Sequence, residues 1–304
     1  MLDSRFPRRK FLKTAAAAAA AGMACGQSRG EFRPLFNGKN LDGWRAIPRV
    51  PVPAYPGAPA PDPNSPGYRK ALTSRGRWVV QNGVIVAGQD PPDSGLGAYL
   101  ITEEKFGDFE LELEVNPDWA VDSGVMIRAT ELGGQGFQVH LDYRMLGSVG
   151  TFFGNGIGNW RARHYAFNPK LDRDGKLVRL IREPAPEEEI RRLAWHSDPA
   201  EFFHVWRVNA WNTLRIRCAG RYPRITTWVN GARIAELDAA ALEAPNYDRE
   251  AVAQLLGPRG HIALEVHDSG PDLWMGKDRW LPFHVCRWRN IRIRDLDFES
   301  PKAP

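Results

Sequence analysis

The chain has 304 residues, with 41 Lys and Arg against 36 Asp and Glu and a formal net charge of +5. Five of the basic residues and one acidic residue lie within the first 25 positions, so the remainder holds 36 basic and 35 acidic residues. That near-neutral balance argues against a nucleic-acid-binding surface. A remainder of about 280 residues is long enough to bury the core of one large domain.

The N-terminus has the order of an export signal. Arg8 and Arg9 form a twin-arginine pair, residues 14–24 are rich in alanine, and no acidic residue stands between Asp3 and Glu31. A basic head followed by a short apolar stretch is typical of a signal, and the stretch is too short to span a membrane. We predict a twin-arginine signal over residues 1–25 and a periplasmic or cell-envelope location.

Cys25 ends this signal in the order Gly-Met-Ala-Cys. Small residues before a cysteine resemble a lipobox, although Gly22 departs from the usual leucine. Lipidation of Cys25 and simple cleavage therefore both remain open, and membrane contact is expected only through such a lipid. Cys218 and Cys286 are predicted to be buried thiols rather than a disulfide, because Cys218 is in phase with apolar residues of a strand.

Apolar and polar residues alternate with period two in several short segments, which indicates strands with one buried face. Two of these segments, residues 109–115 and 137–141, alternate without interruption. Asn82–Gly83 and Asn230–Gly231 separate such segments, and Asn-Gly is a strong hairpin signal. The pattern predicts an all-β antiparallel sandwich.

Two stretches interrupt the strands. Residues 48–66 are proline-rich and are predicted to form a surface loop. Residues 160–208 are interpreted as an insertion, in which residues 186–195 would form one short helix. The rest of the chain, residues 26–304, is predicted to be a single domain.

The succession of motifs identifies a family resemblance. The motifs occupy residues 34–44, 78–86, 99–102, 106–114, 122–128, 262–267 and 289–294. Their order resembles the 3-keto-disaccharide hydrolase domain family, from about residue 32 to 296 apart from the insertion. The resemblance implies a concanavalin A-like jelly-roll sandwich of two antiparallel sheets in exported bacterial proteins that act on glycosides oxidised at C3.

The implied reaction has a clear physical logic. A ketone at C3 acidifies the proton on C2, so a base can remove that proton to give an enolate. The aglycone then leaves from C1 by β-elimination, and later addition of water makes the net result a hydrolysis. Such a site needs a base, a stabiliser for the enolate oxygen and a proton donor for the leaving group.

Gln138, His140 and Asp142 share one side of a predicted strand, because side chains two residues apart point to the same face. They could form a sugar-binding, acid/base or metal-coordinating surface, or an ordinary solvated face. The resembled family usually has Glu and Gln where this chain has Gln138 and His140, which leaves open whether the catalytic role has moved.

Arg128 and Glu114 are further candidates. Arg128 ends an apolar strand, where a charge is costly unless paired, so it is either a partner for the enolate or a sugar hydroxyl, or part of an ion pair with Glu112 or Glu114. The resemblance places Glu114 on the concave face as a catalytic candidate, whereas alternation alone would give it a solvated face.

His267 is a candidate acid or base, or a metal ligand together with Glu265; the alternative is a histidine that caps a turn. No metal is required by any spacing, but His140, Asp142, Glu265 and His267 are the candidate ligands for a divalent ion. Trp160 and Trp274 are candidate sugar-stacking platforms, with core packing as the alternative.

These observations favour an exported hydrolase or lyase that cleaves 3-keto-glycosides. A non-catalytic carbohydrate-binding module, or an envelope interaction module on the same fold, is the alternative. The sequence further predicts that Arg128, His140, Asp142 and His267 converge on one concave sheet face.

Overall fold

The computed structural model describes residues 30–269 and 279–296. The predicted signal with Cys25, and Trp274, lie outside these residues. Within them, no helix is long and apolar enough to cross a membrane.

Two large antiparallel sheets make up the framework of the described chain. The larger sheet has nine strands. In spatial order, eight of them are β13 (Trp195–His196), β16 (Ala232–Asp238), β15 (Arg224–Val229), β14 (Asn212–Ala219), β6 (Phe109–Pro117), β18 (Cys286–Asp295), β4 (Val84–Gly88) and β3 (Arg77–Gln81). The ninth strand, β1 (Arg33–Pro34), pairs with β18.

The second sheet has seven strands. In spatial order they are β10 (Arg161–Ala162), β9 (Val149–Asn155), β8 (Gly136–Tyr143), β7 (Val121–Ala129), β17 (His261–Val266), β5 (Ala98–Thr102) and β2 (Trp44–Pro48). A separate hairpin joins β11 (Ala166–Leu171) to β12 (Leu177–Glu183), and the helices are α1 (Pro66–Leu72), α2 (Glu187–Arg191), α3 (Pro199–Val205) and α4 (Arg249–Leu256).

The main core lies between the two large sheets. Alternate residues of β6 (Phe109, Leu111, Leu113) and of β8 (Phe137, Val139) are buried in one apolar cluster. Period-two burial on two facing sheets is the arrangement that stabilises a sandwich. The predicted all-β sandwich of two antiparallel sheets is confirmed.

Both predicted Asn-Gly hairpins are present. Asn82 and Asn230 connect β3 to β4 and β15 to β16, and both residues have positive φ, 51° and 47° respectively. Asparagine and glycine adopt this left-handed conformation at low cost, which lets the turn follow the twist of the strands.

The insertion contains the predicted short helix, α2, but it also contains strands that the sequence analysis did not predict. Residues 166–183 form the β11–β12 hairpin, and Trp195–His196 adds a strand to the edge of the nine-stranded sheet. Val178 and Ile181 of this hairpin are exposed, so its apolar residues do not lie on one buried face and do not produce the period-two pattern of a strand. The predicted buried thiols are confirmed, since Cys218 and Cys286 are both free and buried.

The outer face of the nine-stranded sheet carries a ladder of ion pairs between β6 and β18. In register, Glu114 pairs with Arg289 at 2.5 Å and Glu110 with Arg294 at 2.7 Å, and Glu112 pairs with Arg292 between them. Glu114 therefore lies on a different sheet from His140, and its predicted place in the catalytic face was wrong.

Candidate active site

One face of the seven-stranded sheet, which points away from the main core, carries a row of polar side chains. Residues directly opposite in an antiparallel pair share a face. Asp142 of β8 lies opposite Asp122 of β7, and His140 lies opposite Gly124. His267 immediately follows β17, and its Nε2 is 3.9 Å from Asp122 Oδ2. The polar row therefore crosses three adjacent strands.

Asp122 and Asp142 form a buried carboxylate pair. Arg144 Nε lies 3.3 Å from Asp122 Oδ2 and 2.9 Å from Asp142 Oδ1, and Arg279 Nη1 donates a hydrogen bond to Asp122 Oδ2 at 2.7 Å. Two carboxylates that face each other in a poorly solvated site cannot both ionise easily.

The two carboxylates differ in proton affinity. Burial and the facing charge of Asp122 raise the pKa of Asp142 to about 7. Burial acts in the same direction on Asp122, but the positive charges of His267 when protonated, Arg144 and Arg279 outweigh it and hold the pKa of Asp122 well below its usual range. One carboxylate is thus suited to carry a negative charge and the other to hold a proton near neutral pH.

His267 has partners on both ring nitrogens. Its Nδ1 lies 2.7 Å from the backbone carbonyl oxygen of Asp268, which can only accept, and its Nε2 lies 3.0 Å from Arg49 Nη2, which can only donate. Both ring nitrogens of His267 are therefore held by polar neighbours, one a backbone carbonyl and the other a guanidinium.

His140 is buried beside the carboxylate pair. Its Nδ1 is 3.4 Å from the Thr151 hydroxyl, and its ring stacks on Phe153 at 5.8 Å between centroids. Burial and the neighbouring charge of Arg161 lower the pKa of His140 well below its usual value. The imidazole is therefore neutral near pH 7.

A second polar group adjoins this row. Gln138 donates to Glu265, which also accepts from Arg49 Nε at 2.9 Å and from the Tyr99 hydroxyl at 3.2 Å. The Gln138 side chain reaches Glu265 by crossing Gly124, where an added Cβ would lie 2.3 Å from Gln138 Nε2. The absence of a side chain at 124 thus makes room for this contact.

The candidate metal ligands His140, Asp142, Glu265 and His267 do not converge on one point. In the stretches 30–269 and 279–296, no three His, Cys, Asp or Glu side chains are grouped so that they could hold a metal ion. Glu265 is instead enclosed by the three donors of Arg49, Tyr99 and Gln138, and His267 Nε2 faces a guanidinium. The side chains of Glu265 and His267 thus face donors of the protein itself.

Arg128 does not join the cluster, contrary to the prediction. Its guanidinium pairs with Asp108 at 2.8 Å and donates to the backbone carbonyl of Pro258. The cause is local: Arg128 has a φ of 54°, and the pairing of β7 with β17 is irregular between His261 and Ala263. The change of backbone conformation turns the side chain away from the face that Asp122 occupies. Asp108 is its partner, not Glu112 or Glu114.

Trp160 packs into the core, which leaves little of its ring free to act as the predicted sugar platform. Only 3% of it is exposed, its Nε1 donates to the carbonyl of Ile157 at 3.0 Å, and its ring packs against Phe137 and Tyr247. A stacking platform needs an exposed ring face.

The structure thus brings together His140, Asp142, His267, Gln138 and Glu265 among the candidates. It adds Asp122, Arg49, Tyr99 and Arg144, to which the sequence analysis gave no role. The sequence pattern could have identified Asp122, because this residue is out of phase with the buried Val121 and Val125 and therefore faces the same side as His140. Arg49 lies in the proline-rich loop and has no such signal.

The chain is similar in structure to solved carbohydrate-related proteins of low sequence identity. A putative glycosyl hydrolase from Parabacteroides distasonis ATCC 8503 is 14% identical, with 88% of this chain and 94% of that chain covered and a TM-score of 0.45. A second putative glycosyl hydrolase from the same organism is 19% identical, with 88% and 100% covered and a TM-score of 0.43. A β-glucanase from Bacillus licheniformis is 12% identical, with 89% and 100% covered and a TM-score of 0.40.

No curated protein shows a significant sequence match to this chain. The family model of the 3-keto-alpha-glucoside-1,2-lyase-like domain, however, matches residues 31–294. This match spans most of the chain and both large sheets, and it bears out the resemblance noted from the motifs. The chain belongs to the family of 3-keto-alpha-glucoside-1,2-lyase-like domains, a membership that supports a carbohydrate-active function.

Proposed function

We propose that this protein is an exported hydrolase or lyase that cleaves 3-keto-glycosides. The observation that carries the proposal is the buried Asp122–Asp142 pair, in which two facing carboxylates share Arg144 and Asp142 lies on the strand that also carries His140. Pairs of titratable groups whose environments separate their pKa values are typical of acid/base catalysis. The substrate class comes from the family to which the chain belongs.

In the proposed reaction, the neutral imidazole of His140 takes the proton from C2 of the 3-keto sugar, and the electron pair moves to the C3 oxygen as an enolate. The enolate then re-forms the ketone as the bond from C1 to the aglycone oxygen breaks. Asp142 is the candidate donor of a proton to that oxygen, because its raised pKa keeps it protonated near neutral pH. Water adds later at C1.

The remaining charges have roles that fit the same chemistry. Arg144 contacts both carboxylates, so its guanidinium supplies positive charge where the enolate oxygen would develop. Asp122 balances that charge and orients Arg144 and Arg279. Glu265 supplies a carboxylate beside Gln138, the position at which the resembled family usually has Glu.

The test is to incubate purified protein with 4-nitrophenyl 3-keto-glucoside and with the unoxidised glucoside, each with and without chelator. We expect nitrophenol release from the keto substrate alone, unchanged by chelator, and deuterium incorporation at C2 in heavy water. Asp142→Asn is the control, since it keeps the shape of the side chain and removes the donor. Saturable binding of the keto sugar without any release would contradict the reaction and favour a binding module.

A further inference from the structure

A groove lies at the edge of the seven-stranded sheet, on the far side of Phe153 from His140. Its volume is about 300 Å³, and its walls include Phe153, Arg161, Glu189 and Arg192. Arg161 lies opposite Phe153, and Phe153 lies opposite Gln138, so all three share the sheet face of the polar row. The His140 ring stacks on Phe153, which therefore separates the groove from the proposed base.

The groove has more positive than negative charge on its walls. Glu189 is already neutralised by Arg163, whose Nε is 2.5 Å away. Arg192 donates to the backbone carbonyl of Arg161 at 2.8 Å, which fixes its guanidinium in the wall. Among the residues that the structure describes, no carboxylate forms an ion pair with Arg161 or Arg192, and no hydrogen bond from the Arg161 side chain is formed.

An unpaired guanidinium in a partly desolvated wall is costly unless an anion offsets it. Burial and the nearby charge of Arg163 both lower the pKa of Arg161. A planar guanidinium also matches the geometry of a carboxylate, with which it can form two parallel hydrogen bonds.

We propose that this groove is the leaving-group subsite and that Arg161 binds a carboxylate carried by the aglycone. The inference rests on the proposed function. Arg161 and Phe153 face the same side of the sheet as Gln138 and Asp142 of β8, so an aglycone oxygen that takes a proton from Asp142 would direct the rest of the aglycone toward this groove. The half-exposed ring of Phe153 provides an apolar wall for an aromatic or sugar acid.

The first test needs no turnover. Calorimetry would measure the binding of 4-hydroxybenzoate and of 4-hydroxybenzyl alcohol, which differ in the carboxylate. We expect the acid to bind about tenfold more tightly, and Arg161→Gln to remove that preference while Arg161→Lys keeps part of it. Arg191→Gln is the matched control, because Arg191 is 72% exposed and pairs with Glu187 on α2. Equal affinity for both compounds, or an unchanged preference in Arg161→Gln, would overturn the subsite.

The second test separates the subsite from the reaction. The 3-keto-glucosides of the same two phenols are compared by kcat/KM. A preference for the acid that Arg161→Gln abolishes supports both proposals. Binding of the free acid through Arg161 without cleavage of either glucoside supports the anion site and refutes the reaction. Equal cleavage of both glucosides, together with no preference in binding, supports the reaction and refutes the subsite.

Discussion

Asp122 and Asp142 lie directly opposite each other on β7 and β8, and they share Arg144 as a neighbour while their pKa values move in opposite directions. This single cross-strand pair links the sheet register to the proposed chemistry. A register change of one residue in β8 would turn Asp142 into the apolar core while Asp122 kept its face, and the pair would be lost.

Asp142→Asn should change stability and activity in different ways. The pKa of Asp142 is raised from 3.8 to about 7, so its stabilising contribution is complete below pH 3.8 and is lost as the pH rises to about 7. We expect the mutant to have the same melting temperature as the wild type at pH 4 and a higher melting temperature at pH 8.

The turnover of Asp142→Asn should fall about a hundredfold, and the wild-type rate should decline above pH 7. A mutant with full turnover would contradict the donor role.

Asp122→Asn should have the opposite effect on stability. Because the pKa of Asp122 is lowered, the carboxylate stabilises the folded protein above its ordinary pKa of 3.8, and this contribution is lost as the pH falls below that value. Removal of a carboxylate that neutralises buried arginines should cost about 3 kcal/mol at pH 7. Denaturant melts at pH 7 and pH 3 measure the difference, and an equal loss at both pH values would contradict the pKa direction.

Arg128→Met should destabilise the fold without changing the catalytic rate of the folded protein. Arg128 is buried and holds Asp108, so we expect a loss of about 3 kcal/mol. Arg45→Met is the control, because Arg45 pairs with Glu131 on the surface and should cost less than about 1 kcal/mol. Turnover per folded molecule should stay normal in both variants. A large loss of turnover in folded Arg128→Met would indicate that Arg128 acts in the active site after all.

Gly124→Ala should displace the side chain of Gln138. The new Cβ would overlap the Gln138 amide, which must then leave Glu265. We expect a loss of about 1–3 kcal/mol from the displaced hydrogen bond and the strain. The double mutant Gly124→Ala/Gln138→Ala should recover part of the strain. If the double mutant is as unstable as the sum of the two single mutants, the clash is not with Gln138.

The predicted export signal can be tested by Arg8→Lys/Arg9→Lys. A transporter that recognises the arginine pair should no longer export the protein, so the full-length chain should accumulate in the cytoplasm. Lys10→Arg is the control, since it exchanges the basic residue next to the pair and leaves Arg8, Arg9 and the local charge unchanged. Cell fractionation and immunoblotting measure the result; normal export of the double mutant would rule out the twin-arginine route.

The sequence alone was enough to predict the sandwich, both Asn-Gly hairpins and the short helix, because each depends on local alternation or turn chemistry. It also placed Gln138, His140 and Asp142 on one face. It could not predict that Arg128 leaves that face, since this depends on a backbone irregularity created by the pairing of β7 with β17. Glu114 alternates in the same way as Asp142, and only the assignment of strands to sheets separates them.

The order of strands has a consequence for biosynthesis. β18 comes after every other strand among the described residues, yet it lies inside the nine-stranded sheet, between β4 and β6, and also pairs with β1. The larger sheet therefore cannot close until residues 286–295 have left the ribosome, and a nascent chain would expose the edges of β4 and β6 until then. Those two edges are where a partly synthesised chain could pair with another chain.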